Sequence, residues 1–145
     1  MEQGPSGERP GNDTDRPPFE QLDYVYTPSR DVVADVAYFT DVLGARRVFA
    51  IDDGGVRVAM LELSEGPRVM LTDHLDGDAP ILVYRVPDLR KATDALTARG
   101  WRGGRTLEIP QGPCVSFTTP GGQRVALYER SRPGVEEHFL GRRDF

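Results

Sequence analysis

The side chains that most often do chemistry are few in this sequence and lie far apart. There are two histidines, His74 and His138, and one cysteine, Cys114. A metal cage built from cysteines is therefore excluded, and so is a disulfide within the chain. Cys114 is predicted to be a small buried core residue, with a reactive thiol as the less favoured alternative.

Two further patterns could support chemistry. The acidic segment DHLDGD, residues 73–78, has the composition of a calcium loop but lacks its alternating ligand positions and closing glutamate, so we interpret it as a solvated linker. His74 and Glu129 could form an acid–base pair, because two similar motifs end near these residues. PGG at 120–122 indicates a hairpin turn, and no Ser, His and Asp set has the turn context of a hydrolase.

Aromatic residues are the better candidates for contact with a ligand. Tyr24, Tyr26 and Tyr128 combine a flat apolar ring with a hydroxyl that can hydrogen-bond. Ordinary packing within a sheet is the alternative for each of them. For Trp101 that packing role is the favoured one.

Length and charge limit the classes of partner. A chain of 145 residues with 38% hydrophobic content can form one globular domain without disulfides. The net charge of -5 disfavours nucleic acid and anionic membranes, since both reward clustered positive charge. The sequence has no apolar run long enough to span a bilayer and no leader pattern, so we expect a cytoplasmic protein.

The elements that must position these residues occur twice. The turn and strand TTPGGQRVALYE, residues 118–129, resembles SEGPRVMLTD, residues 64–73. Upstream of each copy, a strand precedes an amphipathic helical pattern, which is capped by Ser29 or Asp31 in the first case and by Asp88 in the second. The sequence therefore predicts two modules with the same element order, βαβββ.

This repeat gives the domain organisation. We expect a disordered N-terminal tail over residues 1–18, because that segment is rich in Gly, Pro and charge and carries almost no apolar residue. Module one is predicted over residues 19–73 and module two over 81–130, with a linker at 74–80 and a C-terminal tail at 131–145. The predicted fold class is α+β, with curved mixed sheets around a cleft and the helices outside.

The ordered combination of this repeat with YFTDVLG after the first strand and PGGQRVALYE at the end resembles the vicinal oxygen chelate superfamily. That superfamily includes glyoxalase I, extradiol dioxygenases and bleomycin-resistance proteins, and the resemblance covers about residues 20–130. It implies paired modules that form a cleft, and it implies a homodimer.

In metal-dependent members of that superfamily, His and Glu residues from four strands hold a divalent ion. By resemblance, these positions fall on Tyr24, Met70, Ile81 and Ala126. None of them is a normal ligand for such an ion except, marginally, Tyr24. We therefore expect neither a metal nor another cofactor.

Period-two alternation predicts which face each strand residue occupies. The consistently apolar set should pack beneath the helices: Val69, Leu71, Leu82, Tyr84, Val86, Val125 and Leu127. The opposite face should look into the cleft and bind a ligand through Tyr24, Tyr26, Met70, Thr72, Ile81, Val83, Ala126 and Tyr128. Three arginines lie toward the strand ends of that face, namely Arg68, Arg85 and Arg124. The alternative is that these side chains fill the cleft as a second core.

The function that follows is binding or sequestration of an aromatic or partly apolar small molecule without a metal. The alternative is an enzyme of the same superfamily, a lyase, isomerase or dioxygenase with a relocated metal or with acid–base chemistry by Glu129, Tyr24 or His74. A third possibility is a module with a closed cleft that binds another protein. We favour binding over catalysis, and expect no nucleic-acid or membrane partner.

Overall fold

The computed structural model describes residues 18–145. The prediction of a disordered tail therefore falls almost entirely outside the described residues. Module one contains β1 (Gln21–Pro28), α1 (Val32–Asp41), β2 (Arg46–Asp53), β3 (Val56–Glu62) and β4 (Arg68–Thr72). Module two contains β5 (Ile81–Val86), α2 (Leu89–Ala98), β6 (Arg105–Ile109), β7 (Gly112–Thr118) and β8 (Arg124–Glu129). A 3-10 helix follows at Pro133–His138. The α+β class and the repeated βαβββ order are confirmed.

Both helices begin where the sequence predicts a cap. The Asp31 carboxylate accepts a hydrogen bond from the Ala34 amide at 3.0 Å, and the Asp88 carboxylate accepts one from the Lys91 amide at 3.0 Å. Each bond satisfies one of the amides that a helix leaves unpaired at its N-terminus. Downstream of the helices, Gly44 and Gly100 have φ of 76° and 104°, a left-handed conformation that suits glycine.

The strands form one sheet with the order β2-β3-β4-β1-β5-β8-β7-β6. Within each module the first strand pairs in parallel with the last, β1 with β4 and β5 with β8. The modules join where β1 and β5 run antiparallel at the centre of the sheet. This seam brings the first strands of both modules side by side.

One face of the sheet packs against the helices. Val69 and Leu71 lie in a cluster with Val32 and Val36 of α1. The corresponding cluster of module two combines strand and α2 residues, together with Trp101, and contains Tyr84, Val86, Ala92, Val125 and Leu127. Trp101 contacts Phe117 edge to face at 5.4 Å, which agrees with a packing role.

The opposite face, which we call the inner face, holds a third cluster. Its buried members come from both modules and are Tyr24, Val48, Phe49, Ile51, Met60, Cys114, Ala126 and Tyr128. Cys114 is buried, as predicted. Much of the inner face is thus a packed core rather than an open surface.

Residues 131–145, the C-terminal segment, run from one end of the sheet order toward the other. The amides of Ser131 and Arg132 donate to the Gln111 carbonyl in the β6–β7 turn. Further along, the Ala50 amide of β2 donates to the Arg142 carbonyl at 2.8 Å. The segment therefore links the β6–β7 hairpin to β2, and this course had no signal in the sequence.

Within the described part of the chain, no helix is long and apolar enough to cross a membrane.

Candidate functional site

A cleft of about 550 Å³ opens at the end of the sheet where β1 and β4 begin and β5 and β8 end. It thus lies over the four central strands, across the seam between the modules. Its lining residues are Gln21, Leu22, Asp23, Tyr24, Glu62, Glu65, Gly66, Pro67, Arg68, Arg85, Tyr128 and Arg130. A cleft of this size can hold a small organic molecule.

Asp23 and Tyr128 form the floor of the cleft. The Tyr128 hydroxyl donates a short hydrogen bond to Oδ2 of Asp23, and Gln21 Nε2 donates to Oδ1 at 2.6 Å. The Asp23 side chain is only 10% exposed. It reaches this position because the pairing of β1 with β5 shifts between Leu22 and Tyr24, which leaves Asp23 at a β-bulge.

Arg85 lies beside this pair. Its Nε is 3.2 Å from Oε1 of Glu20 and 3.7 Å from Oδ2 of Asp23. The same atom is buried, yet within residues 18–145 it makes no hydrogen bond of good geometry. The contacts are therefore ionic rather than well-aligned hydrogen bonds, and a polar group in the cleft could improve them.

Burial raises the pKa of the Tyr128 hydroxyl well above its usual value of 10, and the hydrogen bond to Asp23 and the proximity of Tyr24 raise it further. The phenol is therefore neutral at physiological pH and serves as a hydrogen-bond donor. The rings of Tyr24 and Tyr128 lie 6.1 Å apart at an angle of 31°. Together they give the polar floor a flat aromatic component.

Charges at the rim are nearly balanced. Arg46 Nε donates to Glu62 Oε1 at 2.6 Å, and Arg68 approaches the other oxygen of Glu62 at 4.0 Å. Glu65 and Arg130 complete the charged lining. Because the lining holds as many arginines as carboxylates, the cleft has no strong preference for a highly charged ligand.

The four residues that the sequence resemblance aligns with metal ligands do not fit a divalent ion. Tyr24 and Ala126 are buried in the inner-face cluster, and Met70 and Ile81 pack against it. A thioether, an aliphatic side chain and a methyl group supply no hard donor. The described residues also contain no group of three or more His, Cys, Asp or Glu placed to hold a metal.

The predicted ligand-binding residues share one face but not one site. Strand pairing places Tyr26 opposite Met70 and Ile81, and Val83 opposite Ala126. Only Tyr24 and Tyr128 line the cleft, whereas Met70, Ile81, Val83 and Ala126 belong to the inner-face cluster or pack against it. Binding by this set stays a prediction, and the cleft itself is more polar than the wall expected from the sequence.

Tyr26 and Thr72 instead meet His74. Thr72 Oγ1 is 2.5 Å from His74 Nδ1, and the Tyr26 hydroxyl is 3.0 Å from Nε2. Burial raises the pKa of Tyr26. Glu129, which the sequence suggested as a partner of His74, accepts a hydrogen bond from the Leu89 amide at 2.9 Å. Glu129 therefore stabilises the N-terminus of α2.

The three arginines predicted on the cleft face do not all lie at the cleft. Arg68 and Arg85 line the cleft, but Arg124 Nη1 donates to the carbonyls of Asp76 and Ala79 at 2.7 and 3.0 Å and fixes the linker.

Sequence reasoning missed the carboxylates of the cleft. Asp23, Glu62 and Glu65 were not among the candidate residues, although all three line it. Asp23 carried one signal, since a carboxylate between Leu22 and Tyr24 is unusual within a strand. Only the bulge explains how it shares the cleft with its neighbour Tyr24, because adjacent strand residues normally face opposite sides.

Comparison with solved structures identifies the fold. The chain is similar to methylmalonyl-CoA epimerase from Mycobacterium tuberculosis, with a TM-score of 0.65 and 22% identity over 80% of this chain and 91% of that one. A hypothetical protein from Bacillus halodurans gives a TM-score of 0.65 with 14% identity over 77% and 95% of the two chains. A catechol 2,3-dioxygenase gives 0.59 with 18% identity over 77% of this chain and 42% of that one.

The chain therefore has the vicinal oxygen chelate fold, as its sequence motifs predict. These identities establish the fold and not the activity. No family model matches the sequence, and no curated protein matches it.

Proposed function

We propose that this protein binds a small molecule in the cleft without the help of a metal ion. The observation that carries the proposal is the contrast between two neighbouring regions. The four superfamily metal positions hold Tyr24, Met70, Ile81 and Ala126 within or against an apolar core. At one end of this core, an open cleft is lined by a buried carboxylate and arginines, with the largely buried rings of Tyr24 and Tyr128 at its floor.

The cleft chemistry favours a ligand with two parts. A flat, partly apolar body can pack over the floor that Tyr24 and Tyr128 form, where Tyr24 is the more exposed of the two rings. A neutral or zwitterionic polar group can meet Asp23 and Arg85, where an acceptor would improve the imperfect contacts of the arginine. This extends the aromatic or partly apolar ligand expected from the sequence.

A thermal-shift screen of aromatic small molecules, followed by calorimetry of any hit, tests the proposal. Tyr24→Ala removes an aromatic side chain of the cleft and should weaken binding by about fivefold or more, since an aromatic contact contributes roughly 1 kcal/mol beyond its buried area. Tyr38→Ala is the matched control, because Tyr38 is 55% exposed on α1 and does not line the cleft.

The metal question needs its own measurement. Affinity of a hit should be the same in EDTA as in zinc or manganese, because no hard donor set is available at the superfamily positions. Stoichiometric metal in protein purified without a metal column, or affinity lost in EDTA, would overturn metal independence. Equal losses in Tyr24→Ala and Tyr38→Ala would move the site away from the cleft.

One observation favours a second candidate, metal-free proton transfer. Asp23 is a buried carboxylate whose two oxygens are oriented by Tyr128 and Gln21, as a general base requires. It could accept a proton from a bound ligand and return it, as in a lyase or isomerase. Incorporation of solvent deuterium into a ligand by the wild type, abolished in Asp23→Asn with binding retained, would establish this; ligand binding without exchange would leave the first proposal.

The homodimer and the cytoplasmic location remain expectations, the first from the resemblance and the second from the sequence. Sedimentation of the full chain over a concentration range measures the dimer directly.

A further inference from the structure

Helix α1 carries apolar side chains on its outward side as well as on the side that packs against the sheet. On the inward side, Val32 and Val36 are buried and Phe39 packs against their cluster. Of the seven large apolar side chains that are exposed within residues 18–145, four lie between residues 33 and 43, so the exposed apolar surface is concentrated at this helix. These four are Val33, Tyr38, Val42 and Leu43, with exposed fractions of 44, 55, 62 and 50%.

The outward residues of α1 lie in two neighbouring rows, because residues four apart lie one above the other on a helix. One row is Val33, Ala37 and Asp41, and the other is Ala34, Tyr38 and the C-cap residue Val42, all of them exposed. We call these six residues the α1 outer face. Asp41 is its charged member and lies toward the C-terminal end of the helix.

The second helix shows that the fold does not require an apolar outer face. Asp31 and Asp88 cap α1 and α2 in the same way, so positions counted from the two caps can be compared. Where α1 has Val33, Ala34, Ala37 and Val42, α2 has the exposed residues Arg90, Lys91, Asp94 and Arg99. Both helices pack on the same side of one sheet, and α2 meets water with charged side chains. The apolar outer face of α1 therefore indicates a surface for a partner, because concentrated exposed apolar surface marks interaction sites.

Charges at the two ends of the α1 outer face are complementary to each other. Arg30, directly before the helix, is the one basic residue among residues 30–43, and its side chain is 94% exposed. Its contact with Asp78 is 3.8 Å long and joins two almost fully exposed side chains, so it contributes little. The face thus has a cation beyond its N-terminal end and the Asp41 carboxylate toward its C-terminal end. Two such faces match when they run antiparallel, since each Arg30 then lies beside the Asp41 of the other copy.

Other occupants fit this face less well. Residues 1–18 of the chain contain no apolar residue beyond Met1, and polar side chains packed on an apolar surface lose their contacts with water. The net charge of -5 disfavours an anionic membrane. A second copy of the chain supplies both the apolar surface and the opposite charges.

We propose that two copies of this chain pair through their α1 outer faces, with the two helices antiparallel. Tyr38 of each copy packs over Ala34 and Ala37 of the other, whose small side chains let the helices approach closely. Arg30 and Asp41 form ion pairs between the copies at both ends of the interface. A two-fold axis relates the copies, so each contact occurs twice and this interface closes at two chains.

This pairing is independent of the function proposed for the cleft. Within residues 18–145, the cleft is lined by strand and turn residues that lie outside the α1 outer face. Loss of the pair therefore leaves ligand binding unchanged, and failure of one proposal is distinguishable from failure of the other.

Sedimentation equilibrium of the full chain tests the pairing in the wild type. One helix from each copy forms an interface at the small end of specific complexes, so we expect the 16.1 kDa chain to dimerise with a Kd of about 1–100 µM. A wild type that remains monomeric at about 500 µM, well above this range, would overturn the proposal.

A variant of α1 tests whether this helix forms the interface. Val33→Arg/Val42→Arg introduces the residue type that α2 carries at the same positions, and it should abolish the dimer because it buries charge against an apolar surface. The matched control is Ala95→Arg, an exposed residue of α2 at the position of Tyr38 in α1, which should leave the Kd unchanged. Equal Kd values for the double variant and the wild type would place the interface elsewhere and overturn the proposal.

A charge exchange tests the antiparallel arrangement. Arg30→Asp and Asp41→Arg each place like charges at both ends of the pair, so each variant alone should dimerise at least about tenfold more weakly than the wild type. An equimolar mixture of the two variants should recover the wild-type affinity, because every contact then joins opposite charges. A mixture that dimerises no better than the separate variants, or single variants with the wild-type Kd, would contradict the contact between Arg30 and Asp41.

Discussion

The hydrogen bond between Tyr128 and Asp23 joins two parts of the chain that are 105 residues apart and lies at the floor of the cleft. Tyr128→Phe removes the hydroxyl and keeps the ring, so packing around the ring is retained. Asp23 then loses a donor at Oδ2, and Arg85 Nε lies 3.7 Å from that oxygen. Because the acceptor is a buried carboxylate, we expect a loss of about 1.5–3 kcal/mol in the free energy of unfolding.

Urea denaturation followed by circular dichroism measures this loss. With a slope near 2 kcal/mol/M, the midpoint should fall by about 1 M without a change in slope, and Tm should fall by about 4–10 °C. Tyr38→Phe removes a hydroxyl from a residue that is 55% exposed and should stay within about 0.5 kcal/mol of the wild type. In a double-mutant cycle with Asp23→Asn, the two changes should be non-additive by about 1 kcal/mol or more.

The dependence of the free energy of unfolding on pH in the alkaline range gives an independent check. The pKa of Tyr128 is raised in the folded chain, so its contribution to stability is complete below the unfolded pKa near 10 and is lost as pH rises beyond it. Above pH 10 the wild type should therefore lose stability more steeply than Tyr128→Phe. The reasoning is refuted if the free energy of unfolding of Tyr128→Phe lies within 0.5 kcal/mol of the wild-type value at pH 7 and both proteins lose stability equally above pH 10. The hydrogen bond would then have no energetic role.

Three further predictions concern other parts of the chain. Burial raises the pKa of the Cys114 thiol to about 11, so its labelling at pH 8 should be about 100-fold slower than in the urea-unfolded chain, and equal rates would contradict its burial. The pKa of Asp144 is lowered by its arginine neighbour and a backbone amide, so its carboxylate stabilises the C-terminal segment above the unfolded pKa near 3.8 and releases it as pH falls through the folded pKa. Nuclear magnetic resonance should show this release in the wild type, and Asp144→Asn should lack the transition. In Gly112→Ala, a Cβ would overlap a backbone carbonyl oxygen at a φ of 154°, so we expect a loss of about 3 kcal/mol or more in urea unfolding. Gly134→Ala, where a Cβ would meet open space, should change stability by less than about 0.5 kcal/mol, and similar losses in both glycine variants would refute the clash.

Local signals in the sequence were sufficient for the repeated architecture. Asp31 and Asp88 cap helices through amides three residues away, so neither position depends on the rest of the fold. Alternation placed Leu71 and Leu127 toward the helices, because period two survives wherever a strand is regular.

The cleft could not be predicted to the same extent. Asp23 enters it through a bulge, which depends on the register between β1 and β5 rather than on the neighbours of Asp23 in sequence. Its bond to Tyr128 spans most of the chain, and no local pattern encodes such a contact. Phe139 lies in a segment without periodicity. Its ring contacts Phe49 of β2, and no local pattern in the sequence encodes that contact.

The course of the C-terminal segment also limits how chains can assemble edge to edge. β2 and β6 are the two outer strands of the sheet, and an uncovered outer strand is a template for pairing with another chain. Hydrogen bonds from residues 141–144 already engage β2 between Val48 and Asp52. Among the strands of residues 18–145, the outer edge of β6 then remains for strand addition. Pairing through one edge per molecule joins two copies, so association through this edge ends at a dimer and does not propagate into a fibre.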